Sequence, residues 1–146
     1  MVAMGSILIV DDHADTGRAM TRLLACFGYR SVFLSSGHQL LAYLEHEKPS
    51  LILLDLMMPE MNGLEVLKKI RSIPVMAQIP VVMFSASDDP KDIDKAFDVG
   101  ANDYWLKGFG QLSELQHQIA QYLDPPGDDD SGLKGGPPQR SPVVGD

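Results

Sequence analysis

Apolar and polar positions along this chain fall into two alternating kinds of run. Ile7-Leu8-Ile9-Val10, Leu51-Ile52-Leu53-Leu54 and Val81-Val82-Met83-Phe84 are short and almost purely aliphatic, with no polar alternation. Such runs suit strands buried on both faces. Between them apolar residues recur at helical spacing: Met20, Leu23, Leu24 and Phe27; Leu40, Leu41 and Leu44; Val66, Leu67 and Ile70. Strands are therefore predicted at 6–10, 30–34, 51–54, 81–84 and 103–106. The first helix stops at Gly28, the usual residue just past a helix end. Ser36 is a suitable N-cap for the second, and the third runs from about 64 to 72. Pro90 suits the first turn of the fourth, where its missing N–H costs nothing, and Gly100 closes it. The last, at about 111–123, puts Leu112, Leu115, Ile119 and Tyr122 on one side. Strands alternating with helices make repeated βα units, so the expected class is α/β with a parallel sheet covered on both faces.

Composition sets bounds on this picture. With 146 residues, 45% of them apolar, the chain has material for one sizeable core and no room for a second globular domain. The stretch PPGDDDSGLKGGPPQRSPVVGD, which follows Asp124, has almost nothing to bury. The expected organisation is a domain at 1–123 and a disordered Pro/Gly/Asp-rich tail at 124–146. The formal charge of -8 and the lack of a Lys/Arg cluster argue against direct nucleic-acid binding. Cys26 is the only cysteine, which excludes an intrachain disulfide, and its place in an apolar helical pattern suggests a small buried residue. The run Ile7 to Val10 is too short for a signal segment or a membrane span. No membrane association and a cytoplasmic, reducing location are the default expectation.

In open parallel α/β sheets, ligands bind beyond the carboxyl ends of the strands, near the point where strand order reverses. The predicted strands put Asp11-Asp12, Asp55, Ser85 and Lys107 at those ends. Pro59 and Asn62-Gly63 make the segment after Asp55 a turn, so this acid sits at its strand's tip. Carboxylates gathered in one crevice repel, on the order of 4 kcal/mol per pair at 4 Å with an effective dielectric near 20. Something cationic must offset them. All-oxygen ligands favour a hard divalent ion such as Mg²⁺, which takes one or two carboxylates, keeps waters and shares phosphate oxygens. A carboxylate beside Mg²⁺ can attack phosphorus and become an acyl phosphate, a reaction that needs mainly positioning and charge neutralisation. Asp55 is the expected acceptor, with Lys107 as a second cation and the Ser85 hydroxyl as a donor to a phosphoryl oxygen.

Simpler roles compete for several of these residues. Asp11-Asp12 could form a turn and N-cap, Ser85 could cap the next helix, and Tyr104 could be a core aromatic at the sheet edge. His13, beside the acidic pair, reads as a loop or helix-start residue ahead of a ligand, and a zinc site is weakly supported. Met57, Met58 and Met61 read as packing residues.

From about residue 6 to 123 the chain resembles the receiver domain of two-component response regulators, through the ordered motifs ILIVDDH, LILLDLMMPEMNGLE, VVMFSAS and GANDYWLKGF. The resemblance implies a three-layer (βα)5 flavodoxin-like doubly wound fold with strand order 2-1-3-4-5. It implies phosphorylation of Asp55 by a sensor histidine kinase or a histidine phosphotransfer protein. Asp12 and Asp55 would bind Mg²⁺ directly, Asp11 mainly through water, and the Met57 backbone carbonyl would complete the protein ligands. Ser85 and Tyr104 match the family's switch positions, and Lys107 its lysine. Such a domain is a signalling switch that assists only its own phosphorylation and dephosphorylation, and is not otherwise an enzyme. With no helix-turn-helix or catalytic segment after Leu123, a downstream effector protein is the expected target, as in stand-alone receivers, and a dimer through the helix four, strand five and helix five face is compatible with the pattern.

One departure stands out. The family usually has Lys-Pro with a cis bond after strand five, whereas this chain has Lys107-Gly108-Phe109-Gly110. A cis bond before a non-proline residue costs about 2.5 to 4 kcal/mol, so a trans or mobile Lys107-Gly108 linkage is predicted. The two glycines around Phe109 suggest an adaptable loop. Two other readings remain: a receiver-like interaction module that never takes phosphate, and a haloacid dehalogenase-type phosphatase. The latter needs a second Asp two positions after the nucleophile, where this chain has Met57.

Overall fold

The structure, a computed structural model, describes residues 6–108 and 112–123. The expected tail at 124–146 and the Phe109-Gly110 part of the expected adaptable loop lie outside the described residues. The elements alternate as the hydrophobic pattern predicts: β1 (Ser6–Val10), α1 (Ala14–Cys26), β2 (Arg30–Leu34), α2 (Gly37–Leu44), β3 (Leu51–Leu54), α3 (Gly63–Ser72), β4 (Val81–Ser85), α4 (Pro90–Val99), β5 (Asp103–Leu106) and α5 (Leu112–Ala120). All strand pairs are parallel and the order is β2-β1-β3-β4-β5. This is the flavodoxin-like arrangement.

Alternation within the aliphatic strands splits the core in two. Leu8, Val10, Ile52, Leu54, Val81 and Met83 face α2, α3 and α4, meeting Leu40, Val66, Leu67, Ile70 and Ala96. Ile7, Ile9, Leu51, Leu53, Val82 and Phe84 face the other way, onto Met20 and Leu24 of α1 and Leu115 and Ile119 of α5. The period of two in a strand thus feeds two helical layers at once, and runs without polar residues are the consequence.

Local signals set the helix starts. The Ser36 side chain accepts from the Gln39 N–H. Asn62 and Glu65 form a reciprocal capping box on α3, so Asn62 caps a helix as well as turning the chain. Asp89, not Ser85, caps α4, ahead of Pro90. Gly100 ends that helix in the left-handed region with φ 119°.

Two expectations fail on side-chain direction. Cys26 is exposed, because the buried stripe of α1 runs through Gly17, Met20 and Leu24 and leaves position 26 on the solvent side. Met57 is 66% exposed, while Met58 is buried and Met61 lies against the core.

Candidate functional site

Strand order places the ends of β1 and β3 side by side, and both strands stop at an acid. The Asp55 N–H donates to the Val10 carbonyl at 2.8 Å and the Asp11 N–H to the Leu34 carbonyl at 3.1 Å. The ladder hydrogen bonding thus continues one residue beyond the aliphatic runs and fixes where these two carboxylates emerge. Both are buried, Asp11 at 1% and Asp55 at 4% exposure. On the far side of β3, β4 ends in Ser85, itself buried. Its neighbour β5 leads into Lys107, whose N–H donates to the Ser85 carbonyl at 2.8 Å.

The Lys107 ammonium ties the acids together. Its Nζ donates to Asp11 Oδ2 at 2.6 Å and to Asp55 Oδ1 at 3.2 Å, and lies 5.9 Å from the centre of the Phe84 ring. Sequence separations of 96 and 52 residues are closed by these two contacts. Burial and the neighbouring Asp11 push the Asp55 carboxyl above its ordinary range, with Lys107 pulling the other way. Burial alone would lower the Lys107 ammonium, but the hydrogen bond it donates to Asp11 and the charge of Asp55 outweigh it and raise the group. One amine between two buried acids leaves an excess of negative charge, and Asp12 adds to it.

Ligand atoms of Asp11, Asp12, His13 and Asp55 all lie within 4.8 Å of one another. A donor set dominated by carboxylate oxygens, two of them desolvated, fits a hard divalent cation. Met57 lies two residues beyond Asp55, on the loop into α3. That loop turns back tightly: the Gly63 N–H donates to the Leu56 carbonyl at 2.8 Å. A Cβ on Gly63 would overlap the Asp55 carbonyl oxygen, so only glycine lets α3 start this close to the acid.

Ser85 and Tyr104 are joined through Ser87. The Ser85 Oγ accepts from the Ser87 N–H at 3.0 Å. The Ser87 hydroxyl donates to Asp92 Oδ2 at 2.5 Å, and the Tyr104 hydroxyl donates to the Ser87 carbonyl at 2.8 Å. Tyr104 is half-buried against the α2–α4 side of the core. Ser87 as a link was not legible in the sequence, since a serine in a loop carries no signature of its partners. The Asn62-x-x-Glu65 capping box was a signal that could have been read.

At the departure from the usual motif, the Lys107–Gly108 bond is trans, as no cis peptide occurs among the described residues. Gly108 has φ 83°, and a Cβ added there would meet nothing within 4 Å among the described residues. Proline, locked near -65°, cannot adopt that conformation, and Lys107 still reaches both acids.

A parallel flavodoxin-like sheet carrying an acidic crevice, a bridging lysine and a buried hydroxyl on successive strand ends defines the receiver class. Residues 7–120 match the response regulator receiver domain family, and the chain belongs to it. Sensory transduction protein RegX3 of Mycobacterium tuberculosis is 33% identical over 140 residues, 96% of this chain and 60% of its own length. The chain therefore spans less than two thirds of that relative. Among solved structures, the phosphorylated cyanobacterial phytochrome response regulator RcpA is 32% identical with a TM-score of 0.71, covering 82% of this chain and 94% of that one. The receiver domain of sensor histidine kinase PA1611 from Pseudomonas aeruginosa, which has a magnesium ion coordinated in its active site cleft, is 26% identical with a TM-score of 0.74, covering 82% and 98%. No helix among the described residues is long and apolar enough to cross a membrane.

Proposed function

We propose that this chain is a phosphorylation-controlled switch in which Asp55 accepts a phosphoryl group from a phosphohistidine of a sensor kinase or phosphotransfer protein. An Asp55 carboxylate oxygen attacks phosphorus, the P–N bond breaks, and the donor imidazole leaves with its electron pair and takes up a proton. Asp12, Asp55 and the Met57 carbonyl would hold Mg²⁺, with Asp11 acting through water. When bound, the ion neutralises charge on the phosphoryl oxygens. Lys107 supplies the second positive charge, exchanging one of its carboxylate contacts for a phosphoryl oxygen, and the Ser85 hydroxyl donates to another.

The observation that carries this reading is the Lys107 bridge between Asp11 and Asp55. It brings an amine to the acid that would carry the new charge. It also weakens the rival reading of a module that never takes phosphate, whose one support was Gly108. The phosphatase reading has no acid where it needs one, since Met57 occupies that position.

Propagation follows the contacts of Ser87. Drawing Ser85 toward a phosphoryl group shifts the segment carrying the Ser87 carbonyl, which is the acceptor of the Tyr104 hydroxyl. Tyr104, held inward by that carbonyl, is thereby coupled to Ser85, and the face of α4, β5 and α5 changes with it. Phe97 of α4 and Leu106 of β5 expose apolar surface there, suited to an effector protein or a second copy of the chain. Incubation with Mg²⁺ and acetyl phosphate followed by intact-mass measurement tests the central step. One phosphoryl adduct is expected on the wild type and none on Asp55→Ala. No adduct on the wild type, or an undiminished one on the variant, overturns it.

A further inference from the structure

His13 enters the acidic crevice from its rim. Its N–H donates to Asp11 Oδ1 at 2.9 Å, which anchors the backbone. Its ring Nδ1 lies 3.1 Å from Asp11 Oδ1 and 3.3 Å from Asp12 Oδ1. The ring is 66% exposed, so it can adjust toward a bound ion without disturbing the core. His13 is at the N-cap position of α1, and its side chain makes no cap hydrogen bond. Its imidazole is therefore not committed to the helix and faces the carboxylates.

We propose that His13 gives the cation site of this chain a nitrogen ligand, so that the site favours first-row transition ions such as Co²⁺ and Ni²⁺ over Mg²⁺. The inference rests on the reading above, in which the crevice takes a divalent cation. The four candidate donor atoms lie within one ion's reach of each other. The ring nitrogen is close to the oxygens that would bind directly or through water. Mg²⁺ prefers oxygen and gives up water reluctantly, so it gains little from an imidazole. Transition ions gain much more, and among them affinity rises through Co²⁺ and Ni²⁺. Nδ1 now directs its hydrogen at the Asp11 and Asp12 oxygens; for the metal to bind, that proton leaves to solvent and the neutral ring carries its remaining hydrogen on Nε2, which frees the Nδ1 lone pair for the ion.

Calorimetric titration of the full chain with Co²⁺ and, separately, with Mg²⁺ measures the preference. In His13→Asn the ratio of Co²⁺ to Mg²⁺ affinity is expected to fall about tenfold or more, and the visible absorption of the bound Co²⁺ to shift as nitrogen is lost. Co²⁺ binding should disappear in Asp12→Asn. An unchanged ratio, an unshifted spectrum, or Co²⁺ binding that survives Asp12→Asn overturns the proposal, the last because the ion would then lie elsewhere. Acetyl phosphate with Mg²⁺ on the wild type separates the two readings. An adduct together with an unchanged ratio removes only the role of His13; a fallen ratio without an adduct removes only the phosphorylation switch.

Discussion

Burial and the proximity of Asp11 raise the Asp55 carboxyl above its ordinary value of 3.8 despite the opposing Lys107. The folded chain thus binds this proton more tightly than the unfolded chain, and ionisation of Asp55 costs stability. The cost grows as pH rises from the unfolded value toward the folded one and is complete above both. Replacing the acid by its neutral isostere removes it. Asp55→Asn is therefore expected to melt about 3 °C higher than the wild type at neutral pH in chelated buffer. The advantage should vanish as pH falls below the unfolded value. Lys107 limits the gain, since its partner at 3.2 Å loses its charge while the shorter contact to Asp11 at 2.6 Å remains. Thermal melts across that pH range check the sign; a variant less stable than the wild type at neutral pH would contradict it.

At the scale of the elements, strands were the most legible feature, because a run such as Leu51 to Leu54 can hide four aliphatic side chains only when both sheet faces are covered. Helices were read from spacing, and their boundaries from capping residues such as Ser36, Pro90 and Gly100. Less legible was which way a residue at the margin of a stripe points. Cys26 and Met57 are apolar and sit among apolar neighbours, yet both face solvent: for Cys26 periodicity gives a face and not its edge, and Met57 lies on a loop with no periodicity at all. The loop after β5 was legible as a departure but not in its conformation. Its Gly108 has φ 83°, which proline cannot reach. Gly108→Pro, although it restores the familiar dipeptide, should force the loop to rebuild and move Lys107 off its acids. A loss of about 1 to 3 kcal/mol in urea unfolding is expected. Equal or greater stability would show that the glycine conformation is not required.

For the molecule as a whole, the candidate site was legible in two steps: the alternation of elements put these residues at the carboxyl ends of parallel strands, and the resemblance to receiver domains implied the strand order that decides which ends meet. Asp11, Asp12 and Asp55 are separated along the chain but brought together once β1 and β3 are neighbours. The contacts that aim each group, such as the Ser87 link and the ring of Phe84 near Lys107, come from packing and had no separate signal. The same separation yields a linkage prediction. An unfolded chain scatters these acids, so a divalent cation that needs them together binds only the folded state and stabilises it by RT ln(1 + [L]/Kd). That amounts to about 2.7 kcal/mol at a hundredfold excess over Kd. A chain of net charge -8 is also stabilised by general screening, which any salt supplies. Urea midpoints measured with rising Mg²⁺ at constant ionic strength separate the two effects: the wild type should gain steadily once the site begins to fill, whereas Asp12→Asn should stay nearly flat. Parallel gains in both proteins would mean that Mg²⁺ acts on the overall charge and not at the meeting point of β1 and β3.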